Sequence, residues 1–93
     1  MKNIIDLIPV GYENAITIYE IESLTGLSNR KIRSAIAKSK ELVINLQDGQ
    51  GYFKPDDDEE HLVEIWKAIT RSRIQELQAR VRQANKWEEG IRV

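Results

Sequence analysis

The chain has 93 residues, room for one small domain with an appended element and too few for a large enzyme. With 41% hydrophobic and 31% charged residues it can bury a small core, which excludes wholesale disorder. Fourteen Lys and Arg stand against 15 Asp and Glu, and this net of −1 argues, for the chain as a whole, against a nucleic-acid partner.

The near-balance hides four blocks. Residues 1–27 carry net −3, 28–55 net +4, 56–66 net −6 and 67–93 net +4. Cysteine is absent, which removes disulfides, thiolate metal sites and a thiol nucleophile and makes a reducing cytoplasm the expected compartment. The apolar run 4–10 is broken by Asp6 and Pro9, too short and polar for a signal sequence or a membrane span.

Asn3 can cap a short helix that gathers Ile4, Ile5, Leu7 and Ile8 near one face and ends at Pro9 and Gly11. Thr17 and Glu20 form a T-x-x-E capping box, so a second helix starts there. Its apolar positions are Ile18, Ile21 and Leu24, and Gly26 can take the left-handed conformation that closes it. Ser28 caps a third helix over 28–40, in which Ile32, Ala35, Ile36 and Ser39 share one face. Arg30, Ser34 and Ala37 lie opposite that face, flanked by Lys31, Arg33 and Lys38. Residues 28–40 hold five basic side chains and no acidic one.

Ile44 and Leu46 alternate with Asn45 and Gln47, Asp48-Gly49-Gln50-Gly51 supplies turn chemistry, and Tyr52 and Phe53 resume strand propensity. A two-stranded hairpin is expected, leaning on the helices and gaining a third strand from Ala15 and Ile16. Which of Tyr52 and Phe53 faces inward is left open. Pro55 stops the strand, and the acids at 56–60 suit a helix N-terminus. A calcium loop would need a Gly at its sixth position, where His61 stands. No Pro or Gly then interrupts to about Glu88, which predicts a helix of about 30 residues, about 45 Å long.

A head of about 55 residues spans only about 25 Å, so it cannot cover both halves of such a helix. The proximal stripe is Leu62, Ile65, Trp66 and Ile69. The distal one, Ile74, Leu77, Val81 and Ala84, has the 3-4-3 spacing of a coiled-coil seam and is expected out of phase with the first. This stripe is the candidate oligomerisation surface, with self-association, docking of another protein and a free tail all open. Trp66 reads as core and Trp87 as the end of the helix.

Chemistry for catalysis is sparse. His61 is alone, no phosphate-cradling Gly-rich loop with a Lys appears, and the carboxylates sit in acidic runs or on helix surfaces. The expectation is a protein that is not an enzyme and uses no metal or cofactor.

The segment TIYEIESLTGLSNRKIRSAI at 17–36 reads as helix, tight turn and basic helix, with Leu24 and Ile32 clamping the pair. With LTGLS, R-x-x-I and the hairpin DGQGYFKP, the sequence resembles the winged helix-turn-helix family, and its hairpin resembles the wing of biotin-repressor-type DNA-binding domains. The spacing of IIDLIPVG, ENAI, LTGLSNRKIR and GYFKPDD is similar to that of small bacteriophage and prophage DNA-binding proteins of Gram-positive bacteria. The resemblance covers about residues 3–58. It implies an α+β winged helix-turn-helix head at 1–56, mainly helical with a small β-hairpin wing, followed by a long C-terminal helix at 57–93. It also implies that Ser28, Asn29, Arg30, Arg33 and Ser34 enter a groove and that Gln47, Gln50 and Lys54 touch backbone or minor groove. Glu22, at the helix crossing, and Gln50, at the wing tip, depart from the family pattern.

The expected partner is double-stranded DNA, bound by a phage or prophage-type regulator of transcription or replication in a host cytoplasm. Lys31, Lys38 and Lys40 would supply phosphate contacts. A homo-oligomer or protein partner is expected at the C-terminal helix, and no membrane. The alternative is a protein-interaction adaptor that uses the same scaffold and the long helix.

Overall fold

The computed structural model describes residues 3–91, so the outermost positions of the two expected units lie outside the described residues. The order is α1 (Ile4–Leu7), a 3-10 turn (Tyr12–Asn14), α2 (Ile18–Thr25), α3 (Asn29–Lys38) and α4 (Glu60–Ile91). The protein is mainly helical and ends in one long helix.

Local chemistry starts the first three helices where the sequence placed them, but α1 ends at Leu7, before Pro9, and α3 ends at Lys38 rather than at Lys40. The Asn3 side chain accepts from the Ile5 amide at the start of α1. Thr17 and Glu20 close a reciprocal capping box on α2, and Gly26 ends that helix at φ 71°. Ser28 caps α3 by accepting from the Lys31 amide at 3.3 Å, and Ser39 follows its last residue. Each side-chain cap satisfies an amide that the helix itself cannot.

α1, α2 and α3 pack together around Ile5, Ile8, Ile21, Ile32 and Val43, with Ile4, Ile16, Ile18, Leu27, Ile36 and Tyr52 half-covered against them. Each of these isoleucines contributes about 1.5–3 kcal/mol when fully buried. Leu24 does not clamp α2 to α3: it is 67% exposed. The α-helical period carries the buried face of α2 from Ile21 to Thr25 rather than to Leu24. Leu27, in the turn, packs on the core instead.

The expected hairpin is reduced to isolated bridges around a central segment 52–54. Tyr52 exchanges both hydrogen bonds with Ile16 (2.7 and 2.9 Å), and Phe53 exchanges both with Ile44 (3.0 and 2.9 Å). Lys54 donates to Pro9 and accepts from Gly11. The third strand expected from Ile16 is therefore present as a single bridge. The ladder between 43–47 and 52–53 stops at one pair because side chains intercept the backbone. Asn45 Oδ1 accepts from the Gln47 amide and Asp48 Oδ1 from the Gln50 amide, turns that compete with strand pairing. Gln47 takes φ 63°, which bends the chain away from a strand. Gly51 is required at φ 107°, since a Cβ there would run into the carbonyl of Ile16.

Phe53, 0% exposed, is the inward residue, its ring edge-on to Tyr12 at 5.5 Å and 77°, while Tyr52 is half-buried on the helical core. The Tyr12 hydroxyl donates to Asp48 at 2.6 Å, and its backbone amide donates to Glu59 Oε2 at 3.0 Å. Tyr12 thus ties the 45–51 loop and the start of α4 to the head.

Glu59 also accepts from the Asp56 amide at 2.9 Å, so the acidic run forms the turn that precedes α4. The helix has 32 residues, about 48 Å, and the molecule extends 55 × 32 × 23 Å. Leu62, Trp66 and Ile69 are half-buried, so Trp66 borders the head rather than entering its core; Ile65 is exposed, and Val63, Lys67 and Thr70 are half-buried in its place. At 100° per residue, this wider stripe is centred within roughly 30° of Ile74, Leu77, Val81 and Ala84. The two stripes run along nearly the same side of α4 rather than out of phase. From residue 71 to 91 every position is exposed.

Candidate nucleic-acid interface

α3 is held by Ile32 on its buried side, and this fixes what its opposite side presents. Arg30, Lys31, Arg33, Ser34, Ala37 and Lys38 are all exposed, and Lys40 lies exposed just past the helix. Asn29 is half-buried, and Ser28 is exposed with its hydroxyl committed to the Lys31 amide. Among the described residues, none of Arg30, Lys31, Arg33, Lys38 and Lys40 pairs with a carboxylate; the ion pairs are Lys54 with Glu41 and Lys67 with Glu64. A helix about 15 Å long with an unpaired cationic face and small residues Ser34 and Ala37 along it has dimensions suited to a groove about 12 Å wide.

The 45–51 loop stands beside this helix. Gln47 and Gln50 are exposed on it, and an open cleft between loop and helix is lined by Arg33, Asn45, Gln47 and Gly49 together with Arg73 of α4. Arg73 also lines the neighbouring cleft that holds Ala37, Lys40 and Trp66. Arg33 and Lys40 thus share clefts with Arg73 of α4, and Glu41 and Asp48 are the acids beside them. Arg73 is the residue that reading the sequence missed. Its signal was the +4 block at 67–93, whose arginines lacked a position until α4 was placed against the loop.

Lys54 stands apart from these clefts. Its ammonium meets Glu41 at 2.6 Å and only 18% of its side chain is exposed, so its charge joins 41 to 54 rather than projecting. Tyr12 and Asp48 set the position of the loop. The Asp48 carboxylate is held below its usual pKa by the Tyr12 hydroxyl, and the Tyr12 phenol is raised above its usual value by the same bond. The Glu59 carboxylate is lowered by the Asp56 amide and then by that of Tyr12.

Among the described residues, no group of His, Asp and Glu side chains is placed to hold a metal ion, and His61 is exposed at the start of α4. No helix among them is long and apolar enough to cross a membrane. No protein-family model matches the chain, and no curated protein or solved structure is significantly similar to it.

Proposed function

We propose that the protein binds double-stranded DNA, with α3 in the major groove and the 45–51 loop on the flanking backbone. The observation that carries this reading is the exposed, acid-free face of α3, whose five neighbouring cations have no carboxylate partner among the described residues. Arg30 and Arg33 are the residues to read or position bases, since guanidinium groups bond guanine in two places at once. Lys31, Lys38, Lys40 and Arg73 supply phosphate contacts, and Gln47 and Gln50 approach from the loop. The balanced whole-chain charge is compatible with this role, because the acids of 56–60 are gathered at the start of α4. The resemblance to winged helix-turn-helix proteins agrees with the same assignment and extends it to a phage or prophage-type regulator of transcription or replication.

The test is selection of bound fragments from a random duplex library. Enrichment of a short motif supports the reading, and recovery of an unenriched library at low salt refutes sequence-specific binding. A second reading, a protein-docking scaffold, draws on the exposure of residues 71–91. It predicts that deletion of 70–93 abolishes activity while α3 tolerates substitution, the reverse of what DNA binding requires.

A further inference from the structure

We infer that the exposed half of α4 pairs with a second copy of itself in antiparallel orientation. The inference does not depend on DNA binding. Ile74, Leu77, Val81, Trp87 and Ile91 are each between 49% and 69% exposed. For residues of this size that amounts to on the order of 600 Å² per chain, at the upper end of what a monomer leaves bare and enough for two copies to reach a small specific interface.

The spacing says what fits there. Ile74 and Val81 fall at the a positions of a heptad and Leu77, Ala84 and Ile91 at the d positions, with Glu88 at the next a ending the uninterrupted run. A seam of a and d residues is matched by another helix with the same repeat, and a second copy supplies it. The flanking positions carry Arg73, Gln78, Arg80, Asn85 and Trp87 with no acid among them, so two copies form no salt bridge along the seam, and the like charge of their arginines keeps the pairing weak.

Orientation follows from the head. The half-buried stripe at 62–70 and the exposed seam at 74–84 lie on nearly the same side of α4, and Arg73 already borders the clefts beside the head. A parallel partner would run its own 60–70 segment through the space that the head fills. An antiparallel partner ends beside the head and places its own head beyond the far end of the seam. The antiparallel arrangement also faces g positions with g positions, which brings the Trp87 indole to the guanidinium of Arg73 or Arg80 of the second copy, a cation–π contact. In a parallel pair Arg73 and Arg80 would face Gln78 and Asn85.

Sedimentation equilibrium of the full chain without DNA, up to about 1 mM, tests the pairing, since a seam of under two heptads gives a weak dimer. The expected result is a monomer–dimer equilibrium that Leu77→Glu weakens by more than about tenfold, the scale on which a charge replaces one buried apolar side chain. Trp87→Ala, which leaves the seam intact, is expected to weaken it less, and circular dichroism confirms helicity in both variants. The absence of native cysteine allows spin labels at Ala68→Cys and, separately, Ala79→Cys. In an antiparallel dimer the 68–68 distance exceeds the 79–79 distance by more than about 10 Å. A chain that stays monomeric, a higher oligomer, or equal distances at the two positions would overturn the inference. Duplex binding, measured separately, is not decided by any of these outcomes.

Discussion

The hydroxyl of Tyr12 donates to the carboxylate of Asp48 at 2.6 Å across 36 positions of sequence, and this bond sets where the 45–51 loop stands relative to α3. Without it the loop would be joined to the head through the Ile44–Phe53 and Ile16–Tyr52 bridges and the Gly51 approach to Ile16. Tyr12→Phe keeps the ring against Phe53 and removes only the donor. The expected outcome is faster amide exchange at 47–51 with little change in α1–α3, read by hydrogen-exchange NMR.

The pH dependence has a definite sign. Asp48 and Glu59 both have lowered pKa values in the folded chain, Asp48 from the Tyr12 hydroxyl and Glu59 from the Asp56 and Tyr12 amides. Their stabilisation is present above the ordinary carboxylate range and is lost as pH falls through their lowered values. The Tyr12 phenol is raised, so its share is present below the ordinary tyrosine pKa and is lost when the phenol ionises at alkaline pH. Thermal unfolding is expected to be flat across neutral pH and to decline at both extremes. Tyr12→Phe should remove the alkaline part of that decline and the Asp48 share of the acid part, and leave the Glu59 share, because both of its donors are backbone amides.

Capping and turn chemistry give stability predictions of different size. Thr17→Ala removes the capping box of α2 and should cost about 1 kcal/mol in denaturant unfolding. Gly51→Ala should cost more, because the residue is at φ 107° and its new Cβ meets the Ile16 carbonyl. Equal losses for the two would contradict the close approach of 16 to 51.

The sequence and the structure agree where the chemistry is local. Asn3, Thr17 with Glu20, Gly26 and Ser28 act within a few residues of themselves, and each does what its residue type predicts. The basic face of α3 was legible for the same reason, because one buried residue, Ile32, fixes the rotation of the helix. What was not legible depends on distant partners. Tyr12 contacts 48, 53 and 59, and no local pattern announces it. Leu24 falls off the buried face because the helix turns once in 3.6 residues and not in three, and the hairpin stops at one pair because the side chains of Asn45 and Asp48 bond the backbone. Arg73 joins the candidate surface only once α4 is laid beside the loop.

Two lysines of the 28–55 block should behave differently on DNA. Lys54 is paired with Glu41 and mostly covered, whereas Lys31 is exposed and unpaired among the described residues. Lys31→Ala is expected to weaken duplex binding and to lower the salt slope by about 0.9, the value for one phosphate contact. Lys54→Ala should leave the slope unchanged. Arg73→Ala should follow Lys31→Ala, which fluorescence anisotropy at several salt concentrations would show.

The salt dependence of duplex affinity for the wild type and for an Arg30→Ala, Arg33→Ala double variant is the most direct measurement of the proposed role. Binding to DNA through α3 predicts that log K falls linearly with log salt for the wild type, and that the double variant binds more weakly with a slope shallower by up to about 1.8. Coincident, salt-insensitive curves for the two proteins would contradict it.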